Sequence, residues 1–368
     1  MKILEICPFS AGICGVWARV LSESKEFSKL GYEVIIFSSN IEKGTEKKCE
    51  AEQKINKIKI KRFESNQDLL DKSLSKNVTY FNFKEDLISL KPDLVITHLI
   101  HPHSFKALDV CQKMNIPCYL VTHAPFNVKR YFPLNLITKL HYFTKVKPNI
   151  NNFTKIIAIT KWEIPYLLKL GVKKDKIVYI PNGIPEEFFN PKKEKEKNKV
   201  LFLGRIASIK NLEILIYAAK LLPHIQFSLV GTSEEDYLKN LKDITKREKI
   251  ENVTFYPPIY NLKEKIKCID NHKFFVLPSK REAMPQVLIE AMSRGKIVIS
   301  SDTDGGEEII KDNENGFLFE IGNVGQLTKL IKKNIKGNKR VQNNARNSVK
   351  KFNWKTLIKK YIYLFSKR

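Results

Sequence analysis

The sequence has no long hydrophobic run, and this absence bounds where the protein can reside. No apolar stretch approaches the roughly 20 residues that a helix needs to cross a bilayer. The opening residues, MKILEICPF, predict a strand, because their apolar run is too short for the central region of a signal peptide. We therefore expect a cytoplasmic protein, with peripheral contact at the inner face of a membrane as the alternative.

Paired cysteines and metal-ligand clusters are also missing. The six cysteines are scattered, with no CxxC pair and no histidines at zinc spacing. His98, His101 and His103 are close in sequence, but no carboxylate or cysteine beside them completes a ligand set. These patterns predict reduced thiols and no metal site.

Acidic residues are scarce: 39 Asp and Glu stand against 65 Lys and Arg, which gives a formal charge of +26. Such a charge can attract nucleic acid or an anionic membrane. Lysine is abundant throughout and no recognised nucleic-acid motif accompanies it, so we do not expect a nucleic-acid partner. Residues 126–155 mix aromatic and basic side chains without any acid. Two interpretations of this segment stay open: a packed insertion, or a surface for anionic lipid or a lipid-linked acceptor.

What is present is an alternation of buried strands and amphipathic helices along 368 residues, 43% of them hydrophobic. This alternation is typical of α/β proteins with parallel, doubly wound sheets. The length suits two domains, each with its own core. Residues 192–199 contain no apolar side chain, so we predict a linker over 191–199 between domains over 1–190 and 200–350.

The predicted elements follow one another closely in both halves. In the first half the strands are 3–6, 33–37, 57–63 at a half-exposed edge, 94–97, 119–122, 156–159 and 177–180, with helices 16–30, 104–114 and 161–170. In the second half the strands are 200–203, 226–230, 253–255, 274–277, 297–300 and 316–319, with helices 211–222, 234–248 and 262–269. A terminal helix carries Trp354, Ile358, Tyr361 and Phe365 on one face.

Charged side chains follow the first strand of the second half. Gly204 makes a turn there, Arg205 comes next, and Lys210 lies near the start of the following helix. Two cations beside a helix N-terminus suit a phosphate ester. The pair could equally be surface residues of a basic protein, and from these two residues alone the choice stays open.

Residues 274–310 hold two glutamates around a helix start. Glu282 lies in the loop after a buried strand, and Glu290 lies about a turn and a half into the helix that Pro285 begins at its first position. Gly295 ends that helix, and Gly305 and Gly306 follow the next strand in a loop. A loop carboxylate can accept hydrogen bonds from sugar hydroxyls, while the N–H groups at the helix start face an anion.

With these residues the chain resembles the retaining glycosyltransferases of the GT-B architecture, family four, the glycogen-synthase-like and mannosyltransferase-like group. The matching stretches are GRIASIK, PSKREAMPQVLIEAMSRGKIVIS, DGGEE and NG in the second half, and YLVTHAPF, IAIT and IVYIPNGI in the first. The resemblance covers essentially the whole chain. It implies two Rossmann-like domains facing across a cleft, with the terminal helix 353–368 crossing back to the first domain.

The resemblance also implies roles for individual residues. Arg205 and Lys210 would hold the diphosphate as leaving group, Glu282 would contact the transferred sugar, and His123 would lie near that sugar from the acceptor side. The remaining residues implied in donor binding are Gly204, Met284, Pro285, Gln286, Val287, Glu290 (for the ribose), Gly12, Gly15 and Asn182. The family commonly has glycines where this chain has Ala283-Met284-Pro285, and Pro285 has no N–H to donate.

The implied reaction is front-face displacement. An acceptor hydroxyl attacks on the side from which the diphosphate leaves, the leaving phosphate takes the proton, and fixed cations stabilise the departing charge. The implied donor is a UDP, GDP or ADP sugar carrying a hexose or N-acetylhexosamine, and the acceptor belongs to a glycan or glycolipid. No cofactor and no metal are required.

Two other interpretations compete with a glycosyltransferase. A sugar-nucleotide epimerase shares the architecture but would not be expected to have all four charged residues. A non-catalytic carbohydrate- or nucleotide-binding protein would have lost at least one of them. The Asp302-Thr303-Asp304 triplet matches a DxD metal motif of another glycosyltransferase fold, but its place after a buried strand favours a structural role.

Overall fold

The computed structural model describes residues 1–12, 14–43, 47–66, 80–124, 134–190 and 197–366. They form two compact units. The first unit comprises Met1–Asn182 together with the chain from Ile358 onward, and the second is Gly183–Leu357. Each unit is an α/β layer structure on a largely parallel sheet, which confirms the predicted fold class. Within the described ranges, no helix is long and apolar enough to span a bilayer.

The first unit is built on an eight-stranded sheet in the order β10-β9-β8-β7-β1-β2-β4-β3. Its strands are β1 Lys2–Phe9, β2 Glu33–Ser39, β3 Glu52–Ile55, β4 Ile58–Phe63, β7 Leu94–His98, β8 Cys118–Val121, β9 Lys155–Ala158 and β10 Ile177–Tyr179, and a separate pair is β5 Ser65–Asn66 and β6 Tyr80–Phe81. The helices are α1 Gly15–Lys29, α2 Lys84–Leu90, α3 Pro102–Met114, α4 Leu134–His141, a π-helical turn Tyr142–Val146, α5 Lys147–Asn149 and α6 Ile164–Lys169.

Strand β1 is central because its side chains are buried on both faces. Ile3, Leu4 and Ile6 are fully buried, as a parallel strand covered by helices requires. The strand pairs with β2 on one side and with β7 on the other, both in parallel. The carboxyl ends of these strands therefore lie at one edge of the sheet, where a ligand site of an open α/β sheet belongs.

The predicted edge strand 57–63 is not at the edge. Strand β4 lies between β2 and β3, and β3, which is antiparallel to β4, takes the edge position. The side chains of Ile58 and Ile60 in β4 are buried. The sequence EQKI of β3 carries charge and no apolar alternation, which is a common way to protect an edge from further pairing. For the same reason β3 is absent from the strands predicted from the sequence.

The second unit has a six-stranded parallel sheet in the order β13-β12-β11-β14-β15-β16. Its strands are β11 Lys197–Leu203, β12 Gln226–Val230, β13 Val253–Tyr256, β14 His272–Leu277, β15 Ile297–Ser301 and β16 Phe317–Phe319. The helices are α7 Glu213–Lys220, α8 Glu235–Arg247, α9 Leu262–Asp270, α10 Gln286–Ser293, α11 Asp304–Ile309, α12 Val324–Lys333, α13 Lys339–Val349 and α14 Trp354–Ser366.

The boundary between the units falls at Asn182 and Gly183 instead of within 191–199. The reason is packing: the backbone of Ile184 bonds to Phe352 and Trp354, and the carbonyl of Phe188 accepts from Arg294. Residues 191–196 lie outside the described ranges. Residues 197–199, which the prediction placed in the linker, belong to strand β11.

The terminal helix α14 contributes to both units, and the resemblance implied that it returns to the first. Trp354 belongs to the second unit, whereas Tyr361 and Phe365 belong to the first. All three are buried. The rings of Tyr361 and Phe365 lie 5.4 Å and 5.8 Å from the ring of Phe27 in α1, so the helix completes the core of the first unit.

Candidate active site

The second unit brings Lys210 and Glu282 into direct contact across a sequence gap of 72 residues. Lys210 Nζ lies 2.5 Å from Glu282 Oε1, and Ser279 Oγ donates to the same oxygen at 2.6 Å. Both partners keep part of their side-chain surface exposed, 20% for Lys210 and 11% for Glu282. The two loops are also joined through the backbone, because the N–H of Lys280 donates to the carbonyl of Ile209. A ligand here would meet an ammonium and a carboxylate side by side.

Arg205 lies in the same loop but has a different partner. Its Nη1 is 3.3 Å from Glu234 Oε1, and about a third of its side chain is exposed. The loop 204–206 runs along the loop that begins at Gly231: Ile206 donates to the carbonyl of Thr232. Neither Glu234 nor Gly231 was singled out from the sequence, because both follow strand β12 and carry no motif of their own.

Two glycines allow this close approach of backbone. Gly204 and Gly231 both have φ +156°, and a Cβ on Gly231 would lie 1.8 Å from the carbonyl oxygen of Gly204. A larger residue at 231 would therefore push the two strand ends apart. Gly204 was predicted as a turn residue and is one.

Glu290 is paired as well. It is only 5% exposed, and Lys265 Nζ from helix α9 lies 2.7 Å from each of its carboxylate oxygens. Lys265 also lies over the ring of Phe188, 5.8 Å from the centroid. The predicted ribose contact would thus involve a carboxylate that already has a cation, and Lys265 is a residue that sequence reasoning missed.

The segment between the two glutamates forms the start of helix α10. Pro285 is the N-cap, one position before the helix, where the prediction had it as the first helical residue. Met284 and Pro285 are buried, whereas Gln286 and Val287 are half-exposed. The N-cap residue Pro285 makes no side-chain cap hydrogen bond, and the first N–H groups of a helix have no partner within the helix itself.

The paired glycines after strand β15 are part of a helix instead of a loop. Gly305 and Gly306 form the first turn of α11, and Thr303 caps it by accepting from the N–H of Gly306. A Cβ on Gly305 would lie 2.7 Å from the carbonyl oxygen of Ala283 and 2.8 Å from that of Glu282. Gly305 therefore lets the Glu282 loop rest on this helix.

Asp302 and Thr303 of the DxD triplet have structural contacts. Asp302 Oδ1 accepts from the N–H of Ile321, and Thr303 is the cap of α11. These contacts agree with the structural interpretation of the triplet.

In the first unit, His123 follows strand β8 in an unusual backbone conformation. Its φ is +59°, and that of Ala124 is +48°, in the left-handed region that non-glycine residues seldom occupy. Glu163 holds this turn: its carboxylate accepts from Thr122 Oγ1, from the N–H of Ala124, and from the N–H groups of Ile159 and Thr160. Glu163 is fully buried and was not found from the sequence, where it looks like an ordinary helix-start glutamate.

His123 ends a buried row of polar groups. Its Nε2 lies 3.0 Å from His98 Nδ1, and His98 Nε2 lies 2.9 Å from Glu5 Oε2. The other oxygen of Glu5 accepts from Ser24 Oγ at 2.7 Å. His98 was noted in the sequence only as one of three neighbouring histidines, and Glu5, within an apolar strand, was not recognised.

Arg19 and Glu23 on helix α1 continue the cluster. Arg19 Nε lies 3.2 Å from Glu23 Oε2, and that oxygen accepts from the hydroxyl of Tyr361 at 2.8 Å. Arg19 also donates to Tyr361 and to Asn182 Oδ1, at 3.0 Å and 2.9 Å. Arg19 and Glu23 are fully buried, and Asn182, predicted to bind the donor, is 4% exposed with its side-chain oxygen bonded here.

Burial governs the acid–base behaviour of this cluster. It raises the pKa of Glu5 to about 8 and that of Glu23 to about 7, and Arg19 opposes both shifts. Burial lowers the pKa of His98 to about 4 and that of His123 well below its usual value. Both imidazoles are therefore neutral near pH 7, while Glu5 holds a proton.

The prediction that no carboxylate accompanies the histidines of HLIHPH is wrong for His98. One ligand atom each from Glu5, Glu23 and His98 lie within 4.8 Å of one another. Arg19 already supplies a positive charge to this group. His101 and His103 belong elsewhere: His101 caps helix α3, and His103 Nε2 lies 2.8 Å from the carbonyl oxygen of His98.

The two N-terminal glycines differ in what they permit. Gly12 has φ +80°, and a Cβ there would lie 2.9 Å from the carbonyl oxygen of Lys43. Gly15 begins helix α1, and a Cβ there would meet nothing within 4 Å. Glycine is thus required by the fold at position 12 and leaves open space beside the helix start at position 15.

Two family models match consecutive parts of the chain. The model described as Glycosyltransferase Family 4 matches residues 13–188, and the model described as Glycosyl transferases group 1 matches residues 183–351. Together they span nearly all of the sequence.

Individual glycosyltransferases are also similar to this chain. An uncharacterized glycosyltransferase of Haemophilus influenzae is 27% identical over 339 residues, which is 89% of each chain. The UDP-Gal:alpha-D-GlcNAc-diphosphoundecaprenol alpha-1,3-galactosyltransferase of Escherichia coli is 31% identical over 193 residues, 46% of this chain and 48% of its own. The crystal structure of Anabaena HepE in complex with UDP matches all of both chains with a TM-score of 0.78 at 16% identity, and HepE has also been solved with UDP-glucose.

Proposed function

This chain belongs to the family 4-like glycosyltransferases of GT-B fold, which use nucleotide sugars, and from that premise we propose a retaining transfer of a hexose or N-acetylhexosamine to a hydroxyl acceptor. The observation that carries the proposal is the contact between Lys210 and Glu282. In a nucleotide sugar the diphosphate is bonded directly to the anomeric carbon. An ammonium for the phosphate and a carboxylate for the sugar hydroxyls must therefore be neighbours, as they are here.

The remaining roles follow from the surroundings of this pair. Lys210 and Arg205 stabilise the charge on the departing diphosphate, and the N–H groups of Gln286 and Val287 at the start of α10 face the phosphate or sugar. Glu290, oriented by Lys265, accepts hydrogen bonds from the ribose. The departing phosphate takes the proton of the acceptor hydroxyl in a front-face displacement, and the reaction proceeds without a required metal.

UDP-sugars are the first donors to test, because HepE was solved with UDP and with UDP-glucose. UDP, GDP and ADP sugars are screened for binding by calorimetry and for slow hydrolysis by nucleotide release, with and without chelator. We expect one nucleotide class to bind and be hydrolysed with chelator present. Lys210→Ala serves as the inactive control. Binding of no nucleotide sugar, or loss of hydrolysis on chelation, contradicts the donor or the metal-independent part of the proposal respectively.

Retention is tested on the product. Once a donor and an acceptor alcohol are found, proton NMR of the new glycoside, whose anomeric configuration is fixed, reads the anomeric coupling constant. An unchanged anomeric configuration supports front-face transfer, whereas inversion contradicts it. Release of free nucleotide with isomerised sugar and no acceptor would instead indicate an epimerase.

For the acceptor we propose a lipid-linked glycan at an anionic bilayer. Leu136, Leu140 and Phe143 occupy positions i, i+4 and i+7 along helix α4 and the π-helical turn, and they are 61%, 64% and 59% exposed. We call these three residues the apolar stripe. An apolar row on an exposed helix face is typical of interfacial helices, and the galactosyltransferase of Escherichia coli has a diphosphoundecaprenol acceptor in its name.

Charge beside the apolar stripe favours an anionic bilayer as its partner. Lys139, Lys145 and Lys147 are exposed there, and Lys147 Nζ lies 5.8 Å from the ring centroid of Phe143. Each lysine near an anionic surface is worth about 1 kcal/mol of attraction. Residues 126–133 of the predicted membrane segment lie outside the described ranges.

Vesicle co-sedimentation tests this surface. The protein should pellet with phosphatidylglycerol vesicles and not with phosphatidylcholine vesicles, and binding should weaken with salt. Replacing all three stripe residues by Glu should lower the bound fraction at least tenfold. The matched control is Leu221→Glu, which changes an apolar side chain that is 52% exposed in the second unit. Equal binding to both vesicle types, or none to either, contradicts a membrane partner.

A further inference from the structure

The row from Glu5 through His98 to His123 can be joined by hydrogen bonds in only two ways. A neutral imidazole carries one N–H and one lone pair. If Glu5 is protonated, it donates to His98 Nε2, His98 Nδ1–H donates to His123 Nε2, and His123 is left with an N–H at Nδ1. If Glu5 is ionised, every bond reverses, and His123 Nδ1 is left as an acceptor. The direction of the Glu5–His98 hydrogen bond thus decides what His123 offers to a ligand, and Glu23 Oε1, 3.5 Å from His98 Nε2, is a second carboxylate oxygen beside that bond.

The charges around Glu5 select between the two arrangements. On helix α1, Glu23 is paired with Arg19, whereas the ion-pair partner of Glu5 in the described structure is the neutral ring of His98. The groups facing Glu5 are Ser24, Glu23 and Arg19 on α1, His98 on β7, Tyr361 on α14, and Cys7 on its own strand. The guanidinium is already matched by one carboxylate. A second ionised carboxylate, fully buried, would leave an unbalanced charge in the core, which is costly.

We propose that Glu5 and His98 are positioning residues that hold His123 as a hydrogen-bond donor, with the proton on its Nδ1. The geometry alone joins the three residues, and the raised pKa of Glu5 agrees with the protonated arrangement. The proposal rests on the proposed function in one respect: the oxygen that receives this N–H belongs to the donor sugar or to the acceptor. His123 then orients and stabilises an oxygen and does not serve as a general base.

The reversal is a balanced proton shift along the row. When the pH rises above the pKa of Glu5, one proton leaves from His123 Nδ1 to solvent. The proton on His98 Nδ1 moves to His123 Nε2, and the proton on Glu5 moves to His98 Nε2. Both rings remain neutral, and only the tautomers change.

Nitrogen NMR on the free protein with selectively ¹⁵N-labelled histidine reads these tautomers directly. At pH 7 His123 should show a protonated Nδ1 and an unprotonated Nε2, and at pH 9 the two should have exchanged. In Glu5→Gln the side-chain amide can still donate to His98, so the pH 7 pattern should persist at pH 9. A protonated Nε2 on His123 in the wild type at pH 7 overturns the proposal, as does the same pH response in Glu5→Gln.

Two further variants separate positioning from general damage. His98→Phe keeps a ring but breaks the row, so His123 should lose its single tautomer and show exchange between both. His224→Gln is the matched control, because it removes an exposed histidine outside the row, and the His123 signals should not move. Unchanged His123 signals in His98→Phe also overturn the proposal.

The measurement distinguishes this proposal from the proposed function. The NMR measurement uses no substrate. If no nucleotide sugar binds but His123 shows the expected tautomers, the proposed function is refuted and the proposal for Glu5 and His98 stands. If the protein transfers sugar but its His123 carries the proton on Nε2 at pH 7, only the proposal for Glu5 and His98 is refuted.

Discussion

At the scale of residues, the cations of the candidate donor site are already held by carboxylates. Lys210 binds Glu282, Lys265 binds Glu290, and Arg205 has a glutamate partner of its own. A long ammonium side chain loses rotamer freedom when it is ordered. These pairs order the side chains before a ligand arrives, so less of that cost remains for the binding step. A bound diphosphate then meets a lysine that is already ordered. It either replaces the carboxylate as the partner of that lysine or shares the lysine with the carboxylate.

The first prediction concerns Lys210. Lys210→Ala removes the ammonium that offsets charge on the leaving phosphate, so kcat should fall at least about 100-fold. Donor affinity should change less, because the lost interaction is strongest in the transition state. Steady-state kinetics with the donor found in the screen measure both. Lys220→Ala, which removes an exposed lysine paired with Glu248, is the control and should behave as wild type; a Lys210→Ala enzyme within a few-fold of wild type would rule out the leaving-group role.

The second prediction concerns stability and pH through Glu5. Its pKa is raised to about 8 by burial, so between its unfolded value and pH 8 the folded state binds a proton that the unfolded state has lost. Stability from this group therefore falls as pH rises, by up to about 1.4 kcal/mol per pH unit, and levels off above pH 8. Burial lowers the pKa of His98 and His123, which gives an opposite slope below about pH 6.5 in both proteins. Urea unfolding at pH 5.5, 7 and 8.5 should therefore show the Glu5 contribution in the comparison: the stability of the wild type relative to Glu5→Gln should fall as pH rises. Parallel slopes in the two proteins would show that Glu5 is not the titrating group.

At the scale of elements, the donor site depends on how one loop rests on one short helix. The Glu282 loop lies against the first turn of α11, where only a glycine leaves room for its carbonyl oxygens. The same loop is held from the other side by the backbone bond between Lys280 and Ile209. The position of Glu282 is therefore set by backbone packing as well as by its own hydrogen bonds.

The third prediction tests this packing. Gly305→Ala puts a methyl group 2.7 Å from the carbonyl oxygen of Ala283, so the loop must move and activity should fall about tenfold or more. Gly325→Ala is the matched control, since it is also the second residue of a helix and its Cβ would meet nothing nearer than 3.6 Å. Kinetics and thermal melts of both variants separate loss of geometry from loss of fold. If both variants lose activity equally, the loop contact is not the cause.

At the scale of the whole molecule, the first unit is made from two distant parts of the sequence. Residues before Gly183 supply the sheet, and helix α14 closes the core over α1. The hydroxyl of Tyr361 joins the parts chemically, because it accepts from Arg19 and donates to Glu23. Without this hydroxyl, two buried charges would each lose a partner.

The fourth prediction follows from that hydroxyl. Tyr361→Phe should destabilise the protein by about 1–3 kcal/mol, the cost of leaving buried charged groups short of a hydrogen bond. Tyr363→Phe, two residues along the same helix and 61% exposed, should change stability by less than about 0.5 kcal/mol. Urea denaturation of both variants gives the comparison. Equal stability of the two would mean that the Tyr361 hydroxyl contributes nothing to the buried cluster.

The strands and helices of the parallel sheets could be predicted well from the sequence, because the spacing of apolar residues and the length of each apolar run distinguish the two. A short apolar run such as FFVL, flanked by Pro278 and Ser279, favours a buried strand, and Gly295 marks a helix end whose φ of +68° is positive. Sequence reasoning failed for β3, since a short charged edge strand has no apolar alternation to detect. It also misjudged Gly305 and Gly306, because paired glycines favour a loop unless a cap such as Thr303 is recognised.

The buried polar cluster was beyond sequence reasoning for a different reason. Glu5 interrupts an apolar strand and Arg19 lies in an amphipathic helix, and each alone reads as a surface residue. Their partners are 93 and 342 residues away in the sequence, so only the fold brings them together. Lys210 and Glu282 are also far apart, by 72 residues, but both follow strands of one parallel sheet and match one family pattern, which made their proximity predictable.

The split composition of the first unit also sets an order of events during synthesis. The second unit is one continuous stretch, whereas the first cannot bury Arg19 and Glu23 until α14 has left the ribosome. At roughly 5–20 residues per second, the nascent first unit waits on the order of 10–35 s for its last helix. During that interval Phe27 and the charged face of α1 lack the cover that α14 provides. Trp354 of the same helix belongs to the second unit, so both units are completed only when α14 has been made.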